Sequence, residues 1–181
     1  MDFVTFSEKE LTQTTSYTKF NKPHLLISIS NPNHKVMIPN SHYCKEVLRI
    51  SFEDVEDITN NGFNQDIARQ ILDFVNNHCN SASAIVVQCG AGISRSVAVA
   101  SALSKIINHK DDFLFSYGIP NMLVYITLLE TYFMEKYADV RWSSIFFRRN
   151  KNMQEMLEPS VNRISEYKIK KRKEDKGEFD E

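Results

Sequence analysis

One short segment constrains the fold of this chain more than any other: an apolar run that passes through a glycine-containing turn into a run of small residues. Residues 84–87 read Ala-Ile-Val-Val, which is typical of a strand buried on both faces of a sheet. Residues 97–107 begin Val-Ala-Val-Ala-Ser-Ala and predict a helix. Two of the chain's five glycines, Gly90 and Gly92, lie between them. A strand that leads directly into a helix indicates a sheet with parallel strands.

Strand and helix patterns alternate along the rest of the chain. Strands are predicted at His24–Ser30 and Glu46–Phe52, and Leu123–Met134 predicts an apolar core helix. Between the second strand and the 84–87 run lies an amphipathic helix, for which Asn64 is a candidate N-cap. We therefore predict an α/β fold with a central, mostly parallel (mixed) sheet flanked by helices. Ligands of such sheets bind beyond the carboxyl ends of the strands, which is where Cys89 lies.

Length and composition indicate one ordinary folded domain with an extension. The chain has 181 residues, of which 42% are hydrophobic and 25% charged, close to the averages for globular proteins. We expect residues 1–150 to form the domain, including its N-terminal strands. Residues 151–181 are predicted to be a C-terminal extension that ends in a charged, flexible tail, because its last part mixes acidic and basic residues with few apolar ones.

Charge and cysteine content narrow the possible partners and the compartment. The formal net charge is −1, so no basic field favours nucleic acid or an anionic membrane surface. No apolar run approaches the ~20 residues of a membrane span. Three cysteines are too few for a disulfide framework and suit a reducing compartment. We expect a cytoplasmic protein that binds neither membranes nor nucleic acid.

The segment between the strand and the helix has the features of a phosphate cradle. Gly90 and Gly92 permit the close backbone approach of an anion-binding turn, and the helix that follows adds unpaired N–H groups. The guanidinium of Arg95 can bind two phosphoryl oxygens at once. The same groups favour a thiolate at Cys89, which would make it a nucleophile. The alternative is an inert buried cysteine before an ordinary helix.

The run Cys89-Gly90-Ala91-Gly92-Ile93-Ser94-Arg95-Ser96 resembles the signature loop of the protein tyrosine phosphatase superfamily, specifically its dual-specificity branch. That family reads Cys, five residues, Arg, then Ser or Thr. Two further segments are similar to the family's pattern. Phe52-Glu53-Asp54 resembles its general-acid loop, and Ile119-Pro120-Asn121 resembles the segment that supports the signature loop.

The resemblance implies a cysteine-dependent phosphatase that acts on phosphotyrosine of a protein or peptide, and on phosphoserine or phosphothreonine where its specificity is dual. Cys89 would be the nucleophile, Asp54 the general acid, and Ser96 the hydrogen-bond donor to the departing sulfur. No metal or cofactor is implied. The phosphate would be bound by Arg95 together with the loop residues Gly90, Ala91, Gly92, Ile93 and Ser94.

Two alternatives stay open. Asp57 lies close enough to Asp54 that spacing does not choose between them, although Asp54 directly follows the strand. The family's histidine before the nucleophile is replaced by Gln88, which offers hydrogen bonds but no charge. A catalytically weakened module that binds phosphoproteins is therefore the alternative to an enzyme. The neutral loop interior disfavours lipid phosphatases, and the lack of a basic surface disfavours an RNA phosphatase.

Overall fold

A sheet of four parallel strands organises the described chain. The computed structural model describes residues 1–136, apart from 14, 58, 112–114 and 117, with the backbone alone described for 134–136. The strands are β1 (Asp2–Ser7), β2 (His24–Ser30), β3 (Cys44–Ser51) and β4 (Ala84–Cys89). Their order in the sheet is β1-β4-β2-β3. The predicted α/β fold with a mostly parallel sheet is confirmed, and every strand pair among the described residues is parallel.

The two central strands, β2 and β4, are buried on both faces. This explains why both read as continuous apolar runs rather than as alternating patterns. The edge strand β3 exposes most of its side chains, and it begins two residues earlier and ends one residue earlier than predicted.

Strand β1 was not predicted. It lies at the other edge of the sheet, and its register with β4 places Ser7 beside Cys89. Six residues at a sheet edge carry too weak an apolar signal to stand out in the sequence.

Helices pack against this sheet. They are α1 (Glu8–Gln13), α2 (Gln65–His78), α3 (Arg95–Asn108) and α4 (Met122–Lys136), and a 3₁₀ turn (Cys79–Ser81) follows α2. The predicted N-cap of α2 is confirmed, since the Asn64 side chain accepts a hydrogen bond from the Ile67 N–H at 3.0 Å. Helix α3 is buried from Arg95 to Lys105. Its alanines and serines allow it to pack closely against β4 and β1.

Residues Met1–Phe133 form one compact unit. The predicted domain boundary at residue 150 and the extension 151–181 lie outside the described residues, so both stay predictions. Within the described part of the chain, every helix is too short or too polar to cross a membrane. The three cysteines are free thiols.

Candidate active site

The loop between β4 and α3 runs from Cys89 to Arg95 and is shaped by the neighbouring strand. Gly92 has φ +78°, and a Cβ there would lie 2.6 Å from the backbone nitrogen of Ser7. A side chain at this position would therefore meet the end of β1 as well as backbone strain. The Glu8 N–H donates to the Gly90 carbonyl at 3.1 Å. The end of β1 and the start of α1 thus hold the loop in place.

The sulfur of Cys89 lies inside this loop and is almost fully buried. The Gly92 N–H donates to it at 3.3 Å. The thiol donates to Ser96 Oγ at 3.2 Å, and the hydroxyl becomes the donor when the sulfur is ionised. Gly92 and Ser96 therefore lie where both can hydrogen-bond the sulfur when it acts as a nucleophile.

One nitrogen of the Arg95 guanidinium is anchored by backbone and side-chain acceptors. Nη1 donates to the Phe52 carbonyl at 2.6 Å and to Asn31 Oδ1 at 2.7 Å, with a longer contact of 3.4 Å to the Ser30 carbonyl. The cation also lies over the Phe52 ring, 5.8 Å from its centroid. These contacts leave the side chain 7% exposed and fix the plane of the guanidinium.

The opposite edge of the same guanidinium forms an ion pair with Asp54 Oδ2, 3.7 Å from Nε, but makes no hydrogen bond at Nε. Nε is buried and has no hydrogen-bond partner. Nη2 lies 3.7 Å from the position that a Cβ on Gly90 would occupy, so it faces the loop. Nε and Nη2 form the fork of donors that matches two oxygens of a phosphate. A buried donor without a partner is costly unless a ligand supplies one.

Asp54 follows β3 and is held over the loop by two hydrogen bonds to one oxygen. Its Oδ1 accepts from Ser94 Oγ at 2.8 Å and from Asn121 Nδ2 at 2.9 Å. Its Oδ2 lies 3.7 Å from Arg95 Nε. The side chain is 38% exposed, so it can exchange a proton with solvent. Asp57, the other candidate acid, is exposed three residues further along.

A pocket of about 620 Å³ opens beside Arg95 and Asp54, and the acidic residues among the described ones that line it are Glu53 and Asp54. Arg95 forms part of its wall. A smaller pocket of about 230 Å³ lies on the side of Arg95 that faces Gly90 and Glu8. Arg95 thus borders both pockets.

Comparisons with known proteins identify the fold. No family model and no curated protein sequence matches the chain. Among solved structures, human DUSP28 matches with a TM-score of 0.54 and 14% identity, over 75% of this chain and 94% of that one. The human tyrosine phosphatase-like serine/threonine/tyrosine-interacting protein gives 0.53 and 17%, over 74% and 93%. DUSP15 gives 0.52 and 16%, over 78% and 92%.

The fold is that of the dual-specificity phosphatases. At such low identity the likeness concerns the fold, so the chemistry of the loop has to follow from this chain's own residues.

Gln88, which stands where the dual-specificity branch carries a histidine, is buried in the sheet. Its Oε1 accepts a hydrogen bond from Ser28 Oγ at 2.8 Å on the neighbouring strand β2. Its Nε2 has no hydrogen-bond partner. This side chain joins the two central strands and brings no charge to the loop.

Sequence reasoning did not assign the acceptors that fix Arg95. The Phe52 carbonyl and Asn31 come from the segments that follow β3 and β2, 43 and 64 residues away from Arg95. One signal was available for Asn31: it follows a predicted strand of a parallel sheet, and the carboxyl ends of such strands share one edge. A backbone carbonyl acceptor cannot be predicted from the residue type, because every residue has a carbonyl group.

Proposed function

We propose that this chain is a cysteine-dependent phosphatase that hydrolyses phosphorylated side chains of proteins through a cysteinyl-phosphate intermediate. The proposal rests on the different surroundings of the two edges of the Arg95 guanidinium. One edge is anchored by Phe52 and Asn31, and the edge formed by Nε and Nη2 is left without a hydrogen bond at Nε. A dianionic phosphoryl group satisfies that buried edge, and it then lies next to the sulfur of Cys89.

In the first step, the Cys89 thiolate attacks phosphorus. A sulfur–phosphorus bond forms while the ester oxygen–phosphorus bond breaks, and Asp54 in its acid form gives a proton to the departing oxygen. Backbone N–H groups of Gly90, Ala91 and the following loop residues, with the N-terminus of α3 behind them, stabilise the charge on the equatorial oxygens.

In the second step, Asp54 as a carboxylate takes a proton from a water molecule that attacks the phosphorus. The sulfur–phosphorus bond breaks, inorganic phosphate leaves, and the Ser96 hydroxyl donates to the departing thiolate, 3.2 Å away in the resting protein. The hydrogen bonds from Ser94 and Asn121 occupy Oδ1 of Asp54, which leaves Oδ2 to carry the proton in both steps.

The substrate class that we propose is phosphotyrosine in proteins or peptides, with phosphoserine and phosphothreonine in addition if the enzyme has dual specificity. A cytoplasmic location, expected from the cysteine content, belongs to the same proposal. The alternative, a binding module that holds phosphoproteins without turnover, is favoured by one observation. Gln88 contributes an amide, bonded to Ser28 at Oε1 and without a partner at Nε2, where the family has an imidazole.

The test is the hydrolysis of a small aryl phosphate in a buffer that contains a chelator. Cys89→Ser should abolish turnover. Arg95→Lys keeps the charge but loses the fork, and it should lower kcat/KM by at least about 100-fold. Arg69→Lys, at an exposed arginine on α2 that pairs with Asp66, is the matched control and should leave kcat/KM unchanged.

Two other results would reject catalysis. If wild-type protein shows no turnover but binds a phosphotyrosine peptide, and Arg95→Lys weakens that binding, the chain is a binding module. If neither turnover nor phosphate-dependent binding is found, the Nε and Nη2 edge of Arg95 does not bind phosphate. Both the enzyme and the binding-module hypotheses are then wrong.

A further inference from the structure

The described residues that line the 620 Å³ pocket include more acidic than basic ones, which is unusual for a site that binds a dianion. Arg95 is the single cation among the described residues that line it, and in the proposed function its charge binds the phosphoryl group. The other charged lining groups are the carboxylates of Glu53 and Asp54, and the neutral polar ones are asparagine side chains.

Glu53 has no part in the proposed chemistry, and yet it is held in place. Its N–H donates to the Asn61 carbonyl at 2.8 Å, and the Asn61 side-chain amide contacts its Oε1 at 3.5 Å. Both partners are neutral, and the side chain is half-buried. Among the described residues no cation forms an ion pair with it. The carboxylate of Glu53 therefore stays uncompensated beside the pocket.

Substrate binding increases the excess of negative charge at this pocket. The phosphoryl dianion takes the Nε and Nη2 edge of Arg95, and Asp54 is neutral in the acid form that starts the reaction. Glu53 is then a fixed negative charge in the pocket beside Arg95, where two further negative charges have been bound. A peptide with an acidic side chain here is repelled, and a basic side chain is attracted, because the partly enclosed wall weakens solvent screening.

Resting on the function proposed above, we infer that Glu53 selects phosphopeptides that carry a lysine or arginine next to the phosphorylated residue. The pocket lies within the ~300 to 1,000 Å³ common for ligand sites, so it has room for such a side chain beside the phosphoryl group. Glu53 acts as a specificity determinant and not as a catalytic residue.

The experiment compares three phosphotyrosine peptides that differ in one flanking residue, which is Arg, Ala or Glu. Wild-type protein should hydrolyse the Arg peptide with a kcat/KM about 10-fold above that of the Glu peptide, since partly screened pairs contribute a few-fold each. Glu53→Gln should reduce this ratio to less than about 2-fold, and added salt should reduce it in the wild type. Glu46→Gln, at an exposed position near the start of β3, is the matched control and should keep the ratio.

A wild-type ratio near one, or a ratio that survives in Glu53→Gln, overturns the inference. Turnover of a small aryl phosphate, which has no flanking residue, separates this result from a failure of the proposed function. If the chain proves to be a binding module, the same three peptides are titrated onto the Cys89→Ser protein. The order of their affinities then supports or rejects the role of Glu53.

Discussion

Asn121 donates a hydrogen bond to Asp54 across 67 residues of sequence, with 2.9 Å between Nδ2 and Oδ1. The same amide donates to the Val55 carbonyl at 3.1 Å, and its oxygen accepts from the Val124 N–H at 3.1 Å. Asn121 is therefore both the N-cap of α4 and the residue that positions the proposed general acid. These two roles predict two separable effects.

Replacing Asn121 with alanine should destabilise the fold by about 1 kcal/mol through the lost cap. It should also lower kcat by about 10-fold for aryl phosphates with poor leaving groups, because Asp54 is less well placed to protonate them. Activated esters with good leaving groups should be hydrolysed almost as before. Steady-state rates over a series of aryl phosphates measure this difference.

The matched control is Asn64→Ala, which removes the N-cap of α2 and should cost similar stability without changing the dependence on the leaving group. If both variants give the same dependence, Asn121 acts through stability and does not position Asp54.

The two glycines of the loop should respond differently to alanine. At Gly92, φ is positive and the added Cβ would lie 2.6 Å from backbone, so Gly92→Ala must move either the loop or the end of β1. We expect a loss of several kcal/mol in unfolding free energy, or loss of vanadate or phosphate binding. At Gly90 the nearest atom is Arg95 Nη2 at 3.7 Å, an ordinary contact. Gly90→Ala should therefore fold normally, as thermal denaturation can check.

The core of the site could be predicted from the sequence because it is local. Cys89, the glycines and Arg95 lie within seven consecutive residues between a strand and a helix whose patterns are strong. Asn64 was predictable as a cap for the same reason, since its acceptor role depends on residues three positions away.

The surroundings of the site depend on contacts between distant segments, and the sequence does not encode these in residue types. Strand β1 and its contact with Gly92 depend on a sheet register that places Ser7 beside Cys89. The anchoring of Arg95 by the Phe52 carbonyl uses a group that every residue carries. Such features follow from tertiary packing alone.

The pair formed by Ser28 and Gln88 allows a double-mutant cycle inside the sheet. Ser28→Ala removes the hydrogen bond to Gln88 Oε1 and leaves a buried amide whose Nε2 is already unpaired. This variant should lose about 1 to 3 kcal/mol, and Gln88→Leu alone should leave the Ser28 hydroxyl unpaired at a similar cost. The double variant should be more stable, by at least about 0.5 kcal/mol, than the sum of the two single-variant losses predicts. Additive losses in urea denaturation would show that the two side chains do not depend on each other.

The burial of His24 should make the free energy of unfolding depend on pH. The ring is fully buried, with Nδ1 2.8 Å from the Lys22 carbonyl and Nε2 3.1 Å from the Tyr17 hydroxyl. In the neutral ring Nδ1–H donates to that carbonyl and Nε2 accepts from the hydroxyl. Burial lowers the pKa of His24 below its usual value. The unfolded chain, with a histidine pKa near 6.5, therefore binds a proton before the folded chain does.

The contribution of His24 to the free energy of unfolding should be constant above about pH 7. Stability should fall as the pH drops below about 6.5, by up to about 1.4 kcal/mol per pH unit. Urea denaturation between pH 7.5 and 5.5 measures this slope in a range above the ordinary pKa of carboxyl groups. His24→Gln should flatten it. His42→Gln, at an exposed histidine, should keep the wild-type slope. An unchanged slope in His24→Gln would show that a group other than His24 takes up the proton on unfolding.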